Sequence, residues 1–234
     1  MIWGAALLRA GPPAELAALA ALAAARALGG TGFVFDDRNG NGIREPGEPG
    51  LASVAVSNGV DIVMTDPGGA YHIPDRPGSA VFVIKPSGWQ PPVDADNLPL
   101  FHAAPGAEGS VDFPFRRADE PANLRVLLLT DPQPASPAEV GYLSRGLVEG
   151  IGRGGGLAFG VTLGDVVYDR PDLFRDVDAA LARIGIPWYS VPGNHDLALG
   201  TPNEDAAVAP FNPSTGRPPT RFTRAPRSSS PWMT

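Results

Sequence analysis

Three short apolar runs, separated by two helix-length amphipathic patterns, most constrain the fold of residues 122–210. Leu124–Thr130, Leu157–Leu163 and Trp188–Val191 are strand-length runs of the buried type. After the first, Ser136-Pro137-Ala138-Glu139 forms a capping box with proline at the first helical position, and predicts a helix to about Arg153. After the second, Pro171 opens a helix predicted to reach about Ile184, with Leu173, Phe174, Val177, Leu181 and Ile184 on one face. The order β-α-β-α-β requires parallel strands joined by right-handed crossovers.

Each of the three runs ends in polar residues. The first ends in Asp131 and Gln133, the second in Gly164-Asp165 followed by Asp169, and the third in Gly193-Asn194-His195-Asp196. In open α/β sheets, ligands bind outside the carboxyl ends of the strands, so these side chains are expected on one rim. Asp and Asn offer hard oxygen ligands that suit divalent cations. A carboxylate between two such ions can bridge them and help hold a hydroxide for in-line attack on phosphorus. Gly164 and Gly193 let the backbone turn sharply there.

Asp-x-Gln, Gly-Asp-x-x-x-Asp and Gly-Asn-His-Asp, in this order and spacing, resemble the calcineurin-like metallophosphoesterases over residues 122–210. The resemblance implies the first half of a metallophosphoesterase β-sandwich flanked by helices, an α/β fold. It implies that Asp131 and Gln133 sit at a first metal, that Asp165 bridges two metals and that Asn194 binds the second. The metals implied are two divalent transition ions, Mn, Fe or Zn. His195 becomes the acid or charge stabiliser near the leaving group, and Asp169 its orienting partner. Two features depart from the family. Gln133 stands where the family usually has histidine. The three histidines are His72, His102 and His195, so none follows His195, where the family supplies further ligands. The resemblance therefore implies a truncated catalytic domain.

Residues 31–115 read differently. Thr31–Phe35, Ala52–Asn58, Val60–Thr65, Gly69–Ile73, Ser79–Lys85 and Ser110–Phe115 are short runs rich in Val, Ile and aromatics, separated by turn residues. They predict an N-terminal all-β sandwich domain, with residues 86–109, which hold five prolines, as a long surface loop. Residues 116–123 form a polar linker. Asp37-x-Asn39-x-Asn41-Gly42-x5-Glu48 satisfies a calcium-loop pattern in full, although Pro46 and Pro49 exclude the exit helix of an EF-hand. The loop reads either as a calcium site with ligands Asp37, Asn39, Asn41 and Glu48, or as a metal-free Asx-turn loop. It resembles the loops of bacterial cell-surface β-sandwich repeats, and a similar module precedes some bacterial calcineurin-like phosphoesterases. Trp89 reads as cover for the sandwich edge, and His72 and His102 receive no role.

Composition narrows the function classes. The net charge is −7, with no basic stripe, which argues against a nucleic-acid partner. Cysteine is absent, which removes disulfides, thiolate metal sites and cysteine nucleophiles together. Mean hydropathy is −0.03, and the apolar run Leu16–Ala25 is short for a bilayer span, so no integral membrane segment is expected. Residues 1–30 are rich in Ala and Leu, and Ala25-Arg26-Ala27 has the small-x-small form of a signal-peptidase site. They read as a signal-like segment of a secreted or envelope protein, or as an Ala-rich helix or misassigned start in a cytoplasmic one.

The C-terminus changes character abruptly. No Asp or Glu follows Asp205, and residues 210–234 hold six prolines and four arginines. Trp232-Met233-Thr234 has a forced codon series, and shifting it back by one base yields an apolar residue followed by two aspartates. Residues from about 207–214 onward are therefore expected to be out of frame, which assigns 211–234 to the tail. A natural Pro/Arg tail is the other reading. The expected function is a metal-dependent phosphoester hydrolase acting on a small phosphoester, truncated and impaired in this chain. The other reading is a non-catalytic calcium-binding β-sandwich surface module with a degenerate domain attached.

Overall fold

The structure, a computed structural model, describes residues 30–76, 79–103, 109–120 and 122–198. The signal-like segment (apart from Gly30) and the C-terminal tail lie outside the described residues. Eleven strands and a few short helices are described, arranged in mixed sheets. No helix among the described residues is long and apolar enough to cross a membrane.

The first eight strands are β1 (Gly30–Asp36), β2 (Ala55–Ser57), β3 (Ile62–Met64), β4 (Ala70–Ile73), β5 (Val81–Val83), β6 (Trp89–Gln90), β7 (His102–Ala103) and β8 (Phe113–Arg117). They form two four-stranded sheets, ordered β4-β1-β8-β6 and β3-β2-β5-β7. Both sheets contribute to one apolar cluster that includes Val34, Val56, Ile73, Val83, Phe113 and Phe115. Alternation along the strands supplies this face: in β4, Tyr71 and Ile73 are buried while His72 between them is exposed. The pairing is not purely antiparallel, because β1 runs parallel to β8. Trp89 pairs at the sheet edge with Arg117, whose guanidinium lies 4.9 Å from the indole centroid.

The second unit begins at β9 (Val126–Leu129) and continues through α1 (Pro137–Leu143), a π-helical turn (Ser144–Val148) and α2 (Glu149–Ile151). It then passes through β10 (Phe159–Leu163), a 3-10 turn (Pro171–Leu173), α3 (Phe174–Ala182) and β11 (Trp188–Val191). The sheet order is β11-β10-β9 and both pairings are parallel, as the alternation of elements requires. Ser136 caps α1, its Oγ accepting from Glu139 N at 3.4 Å. Glu139 in turn accepts at Oε2 from Ala135 N at 2.6 Å, one residue before the position a capping box uses. The single helix expected over 137–153 is interrupted by the π turn. The extra residue matters: Val140 and Val148 are both buried, yet eight residues of pure α-helix would rotate them about 80° apart.

Helical cover lies on one face of the parallel sheet. Leu173, Phe174, Val177, Leu181 and Ile184 are all buried there, with Trp188. Trp188 lies flat over Gly160, where a Cβ would collide with the indole, and its Nε1 donates to Thr162 Oγ1 at 2.9 Å. Leu127 and Leu129 of β9 pack on this side. Leu128, between them, points the other way and is 59% exposed.

The described residues of 86–109, which are 86–103 and 109, depart from the expectation of a surface loop. They contain β6 and β7, and residues 94–98 dock against the helical unit. Asp94 Oδ1 accepts from the backbone N–H groups of Asp96 and Leu98, both at 2.9 Å, and so shapes a tight turn. Asn97 sits at φ +58°. Its Nδ2 donates to Ala182 O at 2.9 Å, and its carbonyl accepts from Trp188 N at 3.0 Å. Leu98 is buried in the helical unit's core. The segment thus caps the end of α3 and the start of β11 at once. Asn97→Ala should lower stability by about 2 kcal/mol, because it loses the Ala182 bond and places an alanine in the left-handed region. Asn97→Gly, which relieves the strain, should cost less. Urea midpoints at constant m measure both; equal midpoints for all three chains would contradict the docking.

Candidate active site at the strand ends

The three loops that follow β9, β10 and β11 are tied into one hydrogen-bonded group. Asp165 is its hub and is only 8% exposed. Its Oδ2 accepts from Gln133 Nε2 at 2.7 Å, and its Oδ1 accepts from His195 N at 3.0 Å. The Asp165 carbonyl also accepts from Gln133 N at 3.2 Å. His195 Nδ1 pairs with Asp169 Oδ1 at 3.0 Å, while Asp169 N donates to His195 O at 3.2 Å. The imidazole stacks on Tyr168, with centroids 4.2 Å apart and rings 24° from parallel.

Backbone strain concentrates in the same place. Asp131, Gln133, Asp165 and Asp169 have φ of +47°, +42°, +46° and +50°. Left-handed backbone at a non-glycine residue costs on the order of 1–3 kcal/mol and persists where the surroundings over-determine it. Gly193 meets a different constraint: a Cβ there would collide with the Asp165 carboxylate and its backbone nitrogen, so only glycine allows the β10 and β11 loops to touch.

Asp196 locks this contact. Its carboxylate is 2% exposed. Oδ1 accepts from Val167 N at 3.0 Å, and Oδ2 accepts from Val166 N at 2.9 Å and Gly193 N at 2.8 Å. Burial pushes its carboxyl pKa up, and the three backbone donors oppose that shift. The sequence assigned Asp196 no role, although an acid three residues after Gly193 has the spacing of a capping box; the structure forms the acid's half of it, Gly193 N donating to Asp196 Oδ2 at 2.8 Å, while glycine has no side chain to return the bond. Tyr168 was also missed, and no local sequence signal marks a stacking partner.

The expected site residues therefore divide. Gln133, Asp165, Asp169 and His195 are joined directly. Asp131 and Asn194 are exposed at the neighbouring strand ends, and no side-chain hydrogen bond joins them to the group. The nominated metal ligands have the right donor type, since each carries an oxygen suited to a hard cation. Their arrangement does not by itself fit a two-metal centre. Both Asp165 oxygens face N–H groups, and no group of three or more His, Cys, Asp or Glu side chains among the described residues is placed to hold a metal ion.

The Asp37–Glu48 loop closes on itself. Asp37, 1% exposed, accepts from Gly40 N at 2.8 Å, Asn41 N at 3.2 Å and Gly42 N at 3.0 Å. Glu48 accepts from Arg38 N and Glu45 N, both at 3.0 Å. Asn39 and Asn41 form Asx turns with the nitrogens two residues on.

Two measurements check this geometry. Asp196→Ala strands three backbone donors, so it should cost about 3 kcal/mol or more, read from denaturant midpoints. Asn194→Ala, at an exposed position, should cost almost nothing. The second is the titration of the three histidines by NMR. The Asp169 carboxylate beside His195 raises its pKa above the ordinary histidine value, whereas burial pushes His102 down to about 4. The His195–Asp169 pairing therefore stabilises the fold fully below the unfolded histidine pKa, and that contribution is lost as pH rises through the raised folded value. Asp169→Asn should bring His195 down; an unmoved titration would show that the pair does not form.

Comparison with known proteins bears on the N-terminal unit. Residues 38–118 match the family model for the N terminal of calcineurin-like phosphoesterase. No curated protein matches the chain. The match takes in β2 through β8 and lies upstream of the strand-end loops. It therefore falls on the unit that the sequence likened to modules preceding such enzymes: residues 38–118 are similar to the N-terminal domain of calcineurin-like phosphoesterases.

Proposed function

We propose that the chain is built as a metal-dependent phosphoester hydrolase of the calcineurin-like type, acting on a small phosphoester and impaired in this form. Residues 31–115 are read as a β-sandwich module and 122–210 as the first half of the catalytic domain. One observation carries the reading: three consecutive parallel strands deliver Gln133, Asp165, Asp169 and His195 to a single hydrogen-bonded rim. The family match to the preceding domain supports it.

The chain's own residues supply part of the chemistry. His195 is partly exposed, and the Asp169 carboxylate raises its pKa, which favours the protonated ring whose Nε2 can present a proton to a leaving-group oxygen. The Asp169 carboxylate and the Tyr168 ring fix the plane in which it does so. By the family resemblance, Asp131, Gln133, Asp165 and Asn194 form the edge of a centre for two divalent ions, Mn, Fe or Zn. The described residues do not complete that centre.

The test is a titration of the 234-residue chain with Mn²⁺ and Zn²⁺ in a generic aryl phosphate assay. Little or no turnover is expected from this chain. In a version that continues into further histidine ligands, turnover is expected, and Asp165→Asn should cut it by orders of magnitude. Robust metal-dependent turnover by the present chain, abolished by Asp165→Asn, would show that the site is complete. A non-catalytic calcium-binding module is the second reading, favoured by the intact Asp37–Glu48 pattern. Under it, millimolar calcium raises the melting temperature by mass action and Asp37→Ala removes the effect. An unchanged melting temperature leaves the loop as the metal-free turn.

A further inference from the structure

The geometry at Gln133 points to a metal-independent way of holding this site together, an inference that rests on the phosphoesterase reading. We infer that the Gln133 carboxamide stands in for a cation at Asp165, so that the strand-end loops assemble without a divalent ion.

Four observations converge. Gln133 Nε2 lies 2.7 Å from Asp165 Oδ2. An ionised carboxylate only accepts, so the amide must present its N–H edge to it. The other oxygen of Asp165 receives His195 N at 3.0 Å. The charge of a carboxylate that is 8% exposed is thus met by oriented N–H dipoles, one on each oxygen. Gln133 also donates its backbone N–H to the Asp165 carbonyl at 3.2 Å. This two-point attachment holds the β9 loop, whose Asp131 and Gln133 both sit at positive φ. Finally, the buried carboxylate of Asp196 accepts from three backbone N–H groups, two on one oxygen and one on the other. A histidine at position 133, as the family usually has, offers a lone pair to a metal. Glutamine instead offers a donor to the carboxylate, and a cation approaching Asp165 would have to share or displace it.

The experiment uses the untagged full chain, dialysed against chelator, Mn²⁺ or Zn²⁺, with bound metal and melting temperature as readouts. The wild-type chain should retain far less than one metal per chain and melt at the same temperature in all three. Gln133→Glu places two carboxylates together, so it should melt lower in chelator and be restored by Mn²⁺. Gln133→Met, which keeps the length but removes the donor, should melt lower with no restoration by metal. Stoichiometric metal on the wild-type chain, with a matching rise in melting temperature, would overturn the inference, and so would a Gln133→Met chain as stable as wild type. Should Gln133→Glu fail to fold, the wild-type dialysis still decides. Metal uptake by the wild-type chain would leave the phosphoesterase reading standing. Failure of a completed chain to hydrolyse an aryl phosphate would overturn that reading and leave the role of Gln133 intact.

Discussion

A buried carboxylate holds the strand-end rim in register. Asp196 takes three backbone N–H groups, two from the loop after β10 and one from the loop after β11. Those donors would otherwise be buried without partners, so the carboxylate fixes the distance between the loops. Everything else at the rim follows from that distance. Gly193 must lack a side chain because the loops touch. His195 N reaches Asp165 Oδ1 because the 3-10 turn starts at Asn194. The His195 ring then falls between Asp169 and Tyr168.

The two units of the chain are linked by more than the linker. Asn97 and Leu98, from the first unit, cap α3 and enter the core beneath β11. That placement ties the N-terminal domain to the same strand whose loop carries His195. It gives the proline-rich stretch a physical purpose: prolines reduce the conformational freedom that docking must remove. On the opposite face of the parallel sheet Leu128 and Leu163 are exposed and Tyr189 meets Phe101 of the first unit, ring centroids 5.9 Å apart; among the described residues helices cover one side only, whereas parallel sheets are ordinarily covered on both.

Much of this was legible in the sequence, for identifiable reasons. The β-α-β-α-β order, the Ser136 cap and the buried face of α3 follow from period and capping, which are local. The meeting of Asp165, Gln133 and His195 followed from topology, since parallel strands put their ends on one side. What stayed hidden depended on distant partners. Residues 86–109 looked like a loop because proline masks the short pairings of β6 and β7, and because the turn built by Asp94 acquires meaning only against Ala182 and Trp188. The π turn was invisible because Val140 and Val148 reveal the extra residue only once both are seen buried. Asp196 was read as part of a motif, while its work is to bind backbone amides.

The central claim is that hydrogen bonds, with no cation, organise the three strand ends into one rim. Hydrogen exchange of the Val166, Val167, Gly193 and His195 amides in the presence of chelator tests it most directly. The account expects all four to be protected to a similar degree, and Asp196→Ala to release the first three. Free exchange of these amides in the wild-type chain, with protection gained only on adding a divalent metal, would contradict it.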